Sequence, residues 1–261
     1  MNLIDIHDAT IWRGTTCVFE GLSLRIEQHE RVAILGPNGC GKTTLLKTIN
    51  RELYPVEREA SWVRILGRDD WNVSELREHI GIVSQDLQQR YTPTTTALEV
   101  VVSGFFSSIG VHGTLSSRVT DAQVARSRQT LEELGMGEFC NTQLRHMSTG
   151  QQRRCLLARA LVHDPHTLIF DEPTSGLDFA ASFDYLCRVR ALAAAGRDIV
   201  IATHHLNEIP LEVNRVVLLR AGRILADGDK ESVLCSEKLS EAYSVPIKVV
   251  QFDGYFHAHP G

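Results

Sequence analysis

The stretch GPNGCGKTT, from Gly36 to Thr44, constrains the fold more than any other part of the sequence. It follows the apolar run RVAIL and precedes LLKTI, so a buried strand, a glycine-rich loop and a helix follow one another. The stretch matches G-x-x-x-x-G-K-[ST], in which glycines let backbone N–H groups turn towards an anion. The helix N-terminus adds its positive end. The sequence therefore predicts a polyphosphate site here.

Individual residues of this loop have distinct predicted roles. Lys42 would reach the β- and γ-phosphates of a nucleotide, and the Thr43 hydroxyl would bind Mg²⁺. A thiol near a helix N-terminus is expected to have a lowered pKa, so we expect alkylation of Cys40 to inhibit and bound nucleotide to protect it. The predicted nucleotide-binding residues of the loop are Gly36, Pro37, Asn38, Gly39, Cys40, Gly41, Lys42, Thr43 and Thr44.

Two further apolar runs, HTLIFDE and RDIVIATHH, each follow a stretch with helical character. This alternation predicts a doubly wound α/β core with a mostly parallel sheet. Together with the glycine-rich loop at Gly36–Thr44, it predicts a P-loop NTPase core. Near the start, LIDIHDATI and VFEGLSLRIE alternate apolar and polar residues, which predicts an antiparallel β lobe.

The strand TLIFD predicts the second half of the site, because it ends in adjacent carboxylates at the edge where open α/β sheets bind ligands. Asp171 is suited to hold Mg²⁺, and Glu172 to polarise an attacking water. A DEP turn on its own more often starts a capped helix, so the assignment depends on the neighbouring phosphate loop.

The predicted organisation is a single domain over residues 1–261. Its α/β core covers about 1–85 and 158–240, with a helical insertion at about 86–157. The helix TDAQVARSRQTLEELG begins with Thr120-Asp121 and ends at Gly135. A tail at about 241–261 could form a hairpin that turns at Asp253-Gly254.

Composition excludes several classes of protein. A net charge of −5 gives no electrostatic footprint for nucleic acid. The six cysteines form no C-x-x-C pair, which argues against a zinc knuckle and fits a reducing cytosol. No stretch is apolar enough to span a membrane, and the first residues do not read as a signal peptide, so we expect no direct membrane insertion.

The order of the motifs resembles the ATP-binding cassette (ABC) family over essentially the whole chain. GPNGCGKTT resembles its Walker A motif, Gln85 in IGIVSQDLQ its Q-loop, and MSTGQQ its signature. LIFDE resembles Walker B, SGLD with Asp178 the D-loop, and His204 in IATHH the switch histidine. The resemblance implies a P-loop ATPase that uses ATP and Mg²⁺.

The resemblance also implies that two subunits pack head to tail, each phosphate loop facing the other subunit's signature. Ser148 and the N–H of Gly150 would then grip the γ-phosphate, and a helix starting at Gln151 would direct its positive end there. Asp178 would bridge to the opposite phosphate loop. With complete motifs on both sides, a homodimer is the simplest expectation. The alternative for STGQQ is an ordinary helix cap.

The resemblance also implies roles for several individual residues. Gln85 would sense Mg²⁺ and the attacking water, and His204 would hydrogen-bond the γ-phosphate. Trp12 is a candidate to stack on adenine, although by spacing Arg13 falls closer to the family position. The adjacent arginines, Arg153-Arg154, are interpreted as part of a solvated helix face.

The sequence departs from the family pattern at Met147 and Thr149 in the signature and at Thr167 in the Walker B strand. The signature changes look tolerable, because Ser148, Gly150 and Gln151 remain.

The leading prediction is an ATPase subunit that docks on an integral membrane transporter subunit, at the inner face of the cell membrane. Import is slightly favoured, because TALEVVVSG resembles a segment of importers of metal chelates and oxyanions. Phe105, Phe106 and Ile109 could be exposed docking contacts or the insertion's own core. The alternatives are a soluble cassette ATPase with a regulatory or repair role, and a P-loop kinase, which would have no use for STGQQ and SGLD.

Overall fold

The computed structural model describes residues 1–261, which form eleven strands and nine α-helices. The strands are β1 (Asn2–Arg13), β2 (Thr16–Glu27), β3 (Arg31–Leu35), β4 (Trp62–Ile65), β5 (Ile80–Ser84), β6 (Thr167–Asp171), β7 (Asp198–Thr203), β8 (Arg215–Arg220), β9 (Arg223–Asp229), β10 (Ile247–Phe252) and β11 (Tyr255–Pro260). The helices are α1 (Lys42–Ile49), α2 (Val73–His79), α3 (Gln85–Gln89), α4 (Ala97–Val102), α5 (Asp121–Glu133), α6 (Thr149–Leu161), α7 (Phe179–Ala194), α8 (Lys230–Val233) and α9 (Ser236–Tyr243). Short 3₁₀ helices cover Ser103–Phe106, Gly113–Arg118, Gly137–Phe139, Leu144–His146 and Leu206–Glu208.

The chain folds into two compact units. The first unit contains Met1–Trp71 and Val189–Gly261, and the second unit contains Asn72–Arg188. The division into core, insertion and tail drawn from the sequence stays a prediction.

A parallel sheet forms the centre of the first unit. Strand β3 pairs in parallel with β7 on one side and β8 on the other, and β9 pairs antiparallel with β8. The residues Val32–Leu35 and all of β7 are buried, as expected for strands covered on both faces. The parallel strands predicted from the apolar runs RVAIL and DIVIAT are therefore confirmed.

The first unit also contains the antiparallel lobe predicted from the alternating sequences near the start. Strand β1 lies in the middle of three strands and pairs antiparallel with β2 and β4. In β2, Leu22, Leu24 and Ile26 are buried and the residues between them are exposed, which is the period of a sheet with one covered face.

The last strands of the first unit form a hairpin. Strands β10 and β11 pair antiparallel, and Phe252 opposes Tyr255 across the two-residue turn. Asp253 and Gly254 both have positive φ, 49° and 80°, as a tight hairpin turn requires. Phe256 packs into the hydrophobic core formed by β3, β8 and α9.

The second unit is mostly helical and contains β5 and β6, which pair in parallel. Helix α5 begins with a reciprocal cap: Thr120 Oγ1 accepts from the N–H of Gln123, and the Gln123 side chain accepts from the N–H of Thr120. Gly135 follows the helix with a φ of 68°. The strong cap explains why this helix was readable from sequence.

No helix of the structure is both long enough and apolar enough to cross a membrane.

Candidate functional site

The predicted phosphate-binding loop connects β3 to α1 in the first unit. Gly39 and Gly41 have positive φ of 81° and 116°, a backbone conformation that residues with a Cβ avoid. Gly41 precedes α1 and no side chain caps this helix. An uncapped helix N-terminus behind a turn of glycines is a favourable environment for a phosphate.

Lys42 lies against this loop. Its side chain is buried, and Nζ donates to the carbonyl oxygens of Gly36 at 2.7 Å and Pro37 at 3.2 Å. Thr43 is half-buried and Thr44 is buried. The loop therefore carries one buried ammonium group and a hydroxyl group in adjacent positions at the start of α1.

The prediction of a lowered pKa for Cys40 is wrong. The side chain is only 3% exposed, and burial raises the pKa of its thiol above the ordinary value. The positive charge of Lys42 acts in the opposite direction but is the smaller effect. Loss of hydration disfavours the thiolate more than the nearby charge favours it.

We therefore expect Cys40 to resist alkylation in the folded protein. At about pH 7, maleimide should label the exposed Cys17 and Cys187 at least about tenfold faster than Cys40, since the thiolate is the reacting species. Labelling of Cys40 should rise as the pH rises towards its elevated pKa. Timed labelling followed by peptide mass spectrometry measures the three rates, and equal rates for Cys40 and Cys17 would contradict this.

His204 lies at the same edge of the sheet as the start of the phosphate loop. Strands β3 and β7 are parallel neighbours, and their last residues, Leu35 and Thr203, are paired. The His204 carbonyl accepts a hydrogen bond from Tyr243 Oη at 3.1 Å. Its imidazole packs against that of His205, with ring centroids 3.8 Å apart. No sequence motif pointed to Tyr243, because it lies in α9, far along the chain from His204.

Trp12 lies on β1 and is 46% exposed. It is paired with Cys17 of β2, and Arg13 is the next residue. An exposed indole on this lobe is compatible with stacking on a base, and the stacking role of Trp12 stays a prediction.

The second unit brings three other predicted site residues to one edge. Strands β5 and β6 are parallel, and Ser84 is paired with Asp171. Gln85 directly follows Ser84 as the first residue of α3, and Glu172 directly follows Asp171. An amide and two carboxylates therefore leave the carboxyl ends of neighbouring strands together, where α/β folds bind ligands.

Glu172 has a backbone conformation that is unusual for its residue type. Its φ is 48°, in the left-handed region that costs a residue with a Cβ roughly 1–2 kcal/mol. Its carbonyl oxygen accepts a hydrogen bond from the N–H of Ser175 at 3.1 Å, which closes the turn after β6. Strain of this kind is concentrated at functional positions.

The signature residues begin α6, but the helix does not start where the sequence suggested. It begins at Thr149 rather than Gln151, and Ser148 is its cap. Ser148 Oγ accepts from the N–H of Gln151 at 3.2 Å, and Gln151 Oε1 accepts from the N–H of Ser148 at 2.8 Å. This reciprocal cap extends the helix by two residues. The Ser148 hydroxyl keeps its hydrogen for donation, so capping and anion binding are compatible.

Asp178 caps the helix that follows the predicted D-loop. Its Oδ1 accepts from the N–H of Ala181 at 2.8 Å, at the start of α7. A Cβ added to Gly150 would lie 3.1 Å from the Cβ of Ala181, so the backbone of the signature approaches α7 closely. The bridging role of Asp178 stays a prediction.

The interpretation of Arg153 and Arg154 as a solvated pair is wrong for Arg153. Arg153 is 1% exposed, and its Nη2 donates to the carbonyl oxygen of Ser175 at 3.1 Å. Arg154 is half-buried and its Nε lies 4.0 Å from Asp184 Oδ2. Successive residues point to different sides of a helix, and the charge pattern alone did not reveal that one side faces a loop.

Phe105, Phe106 and Ile109 are all half-buried, so neither the exposed nor the core interpretation describes them fully. The ring of Phe105 packs edge-on against His163, with centroids 5.1 Å apart, and Arg118 lies over Phe106. These contacts stay within the second unit.

Comparisons with known proteins identify the family of this chain. The family model described as ABC transporter matches residues 19–175. The chain is 30% identical over 253 residues to the uncharacterized ABC transporter ATP-binding protein YlmA of Bacillus subtilis (strain 168), covering 95% of this chain and 93% of that protein. It is 29% identical to the hemin import ATP-binding protein HmuV of Bradyrhizobium diazoefficiens, covering 95% of this chain and 90% of that protein.

The structure is similar to a dimeric ATP-binding cassette, MJ0796, solved in a post-hydrolysis state bound to ADP and Pi. The TM-score is 0.71 at 25% sequence identity, covering 87% of this chain and 98% of that one. The fold is that of the P-loop NTPases, with a mostly parallel sheet and an antiparallel β lobe. The chain belongs to the ABC transporter family and is one of its ATP-binding, ATP-hydrolysing subunits.

Proposed function

We propose that this subunit hydrolyses Mg-ATP within a head-to-tail homodimer and thereby energises import through an integral membrane partner. The observation that carries the proposal is the pairing of strand ends. The pairing of Leu35 with Thr203 brings the phosphate loop and His204 together within the first unit. The pairing of Ser84 with Asp171 brings Gln85, Asp171 and Glu172 together within the second unit. Gln85, Glu172 and His204 therefore each directly follow the carboxyl end of a parallel strand, and Lys42 follows the glycine-rich loop after β3.

Lys42 would hold the β- and γ-phosphates. We expect Lys42→Ala to weaken ATP binding about 10- to 100-fold, since a charged hydrogen bond contributes about 1.5–3 kcal/mol. Fluorescent-nucleotide titration measures the affinity. Lys47→Ala, a change of a half-buried lysine one turn further along α1, is the matched control and should leave the affinity unchanged. Equal affinities for wild type and Lys42→Ala would remove Lys42 from the site.

The chemistry of the donor groups fits magnesium. The proposed ligands are the Thr43 hydroxyl, the Gln85 amide oxygen and the Asp171 carboxylate, all of them the oxygen donors that Mg²⁺ prefers. When bound, the metal would neutralise charge on the phosphates. Gln85 directly follows β5 and Asp171 is the last residue of β6, and these two strands are paired, which supports binding of the same metal ion by both side chains.

Glu172 would accept a proton from the attacking water, and His204 would hydrogen-bond the γ-phosphate. The N–H of Ser175 donates to the carbonyl oxygen of Glu172, and the hydroxyl of Tyr243 donates to that of His204, so the backbone of both residues is held by a hydrogen bond. A held backbone reduces the entropy lost when the side chain takes up its reacting position.

The second copy would contribute the signature. Ser148, Gly150 and Gln151 at the start of α6 would face the γ-phosphate bound by the other subunit, and Asp178 would reach its phosphate loop. The start of α6 supports this, because Ser148 retains a hydroxyl hydrogen for a phosphate oxygen. The helix N-terminus adds partial positive charge.

The membrane partner is tested by copurification. A tagged native protein should bring down an integral membrane protein in stoichiometric amount from gently solubilised membranes, which would place the subunit at the inner face of the cell membrane. The direction of transport is tested by comparing solute uptake into cells that carry the wild-type protein and cells that carry Glu172→Gln. Recovery with soluble proteins alone would contradict the transporter role and favour a regulatory or repair ATPase.

A further inference from the structure

Ser175 makes contacts with three parts of the second unit that the proposed mechanism uses separately. Its N–H donates to the Glu172 carbonyl oxygen at 3.1 Å. Its Oγ donates to Gln85 Oε1 at 3.3 Å. Its own carbonyl oxygen accepts from Arg153 Nη2 at 3.1 Å. One residue therefore touches the segment of the predicted base, the Q-loop and the helix that begins with the signature.

The contact with Glu172 holds a strained conformation. A left-handed φ at a glutamate persists only where the surrounding structure fixes it, and the Ser175 N–H closes the turn that does so. A displacement of Ser175 would therefore change the direction in which the Glu172 side chain leaves the backbone.

The contact with Arg153 links this turn to α6. Arg153 is 1% exposed, so its guanidinium cannot exchange the carbonyl of Ser175 for bulk water without moving the helix. A second link runs beside it, because Gln88 Nε2 of α3 donates to Gln152 Oε1 of α6 at 2.8 Å. The Q-loop helix and the signature helix are thus connected both directly and through Ser175.

We propose that Ser175 is a positioning residue that couples Gln85 and the signature helix to Glu172. This inference depends on the proposed function of Glu172 as the base. The Ser175 hydroxyl fixes the amide oxygen of Gln85, and its backbone fixes Glu172, so movement of α6 through Arg153 reaches both groups together. Ser175 itself touches no nucleotide in this role and acts only through its neighbours.

The test separates positioning from stability. Ser175→Ala removes the hydroxyl donor and keeps both backbone contacts. We expect kcat for ATP hydrolysis to fall about 3- to 10-fold with KM unchanged, the range for one lost hydrogen bond. Ser175→Thr keeps a hydroxyl donor, so its kcat should remain at the wild-type value. Ser117→Ala changes an exposed serine of the same unit and should leave kcat and Tm at the wild-type values.

A double-mutant cycle with Gln85→Ala decides whether the hydroxyl acts through Gln85. If it does, Ser175→Ala has no further effect on kcat once Gln85 is alanine. Fully additive effects, or an unchanged kcat in Ser175→Ala, would overturn the inference. A Tm that falls in parallel with kcat and is not restored in Ser175→Thr would also overturn it, because it would indicate a structural role alone.

Different results would reject the proposed role of Glu172 and the proposed coupling through Ser175. If Glu172→Gln retained turnover, Glu172 would not be the base, whatever Ser175→Ala does. If Glu172→Gln is inactive while the Ser175 cycle is additive, the base assignment stands and only the coupling through Ser175 is wrong.

Discussion

Glu172→Gln should abolish steady-state ATP hydrolysis while ATP binding is retained. The amide cannot accept a proton at neutral pH, so turnover should fall at least about 100-fold, the lower range for loss of a general base. Because ATP then persists in the site, the head-to-tail dimer should accumulate. Light scattering coupled to size-exclusion chromatography in Mg-ATP measures the dimer, and phosphate release measures turnover.

A matched control is available for this substitution. Glu138→Gln changes an exposed glutamate in the same unit and should leave hydrolysis unchanged. A Glu172→Gln protein that stays monomeric in saturating Mg-ATP would contradict the sandwich arrangement. Normal turnover by Glu172→Gln would instead remove Glu172 from the chemistry.

Ser148→Arg should abolish hydrolysis with nucleotide affinity retained. The substitution puts a long cation at an exposed position that is proposed to meet the other subunit, and it removes the helix cap. We expect turnover to fall at least about 100-fold, because a misplaced reacting group costs about that much. Nucleotide titration should still give the wild-type affinity, since the phosphate loop belongs to the other unit of the fold.

A second substitution separates the catalytic effect from the cap. Ser148→Asp keeps a good capping side chain, so the fold and Tm should be retained. Its carboxylate would repel the γ-phosphate, and hydrolysis should again be lost. If Ser148→Asp hydrolyses ATP normally, or if a strictly monomeric protein does so, the signature is not half of the other subunit's site. Ser117→Arg, an exposed change in the same unit, should remain active.

The sequence was most informative where local chemistry decides the conformation. Four buried apolar residues before a glycine predicted β3, and a two-residue Asp-Gly turn occurs in the hairpin of β10 and β11. The phosphate loop was also readable, because Gly39 and Gly41 are needed for its backbone conformation. These signals lie within a few neighbouring residues, and tertiary contacts do not override them.

The sequence failed where burial by distant residues decides the outcome. The pKa of Cys40 rises because other parts of the fold exclude water from it, and nothing in GPNGCGKTT indicates that exclusion. Arg153 looked solvated because two adjacent arginines usually are. The contact of its guanidinium with Ser175, far along the chain, is a property of the folded unit and has no local signature.

The left-handed backbone at Glu172 means that the side chain of the proposed base lowers the stability of the fold. Glycine would occupy a φ of 48° without the steric penalty that a Cβ incurs there, about 1–2 kcal/mol. A laboratory selection for heat resistance alone would be drawn towards glycine at this position and would discard the carboxylate in the process. A more heat-stable variant of this ATPase should therefore keep glutamate at position 172 and take its stabilising substitutions from other positions.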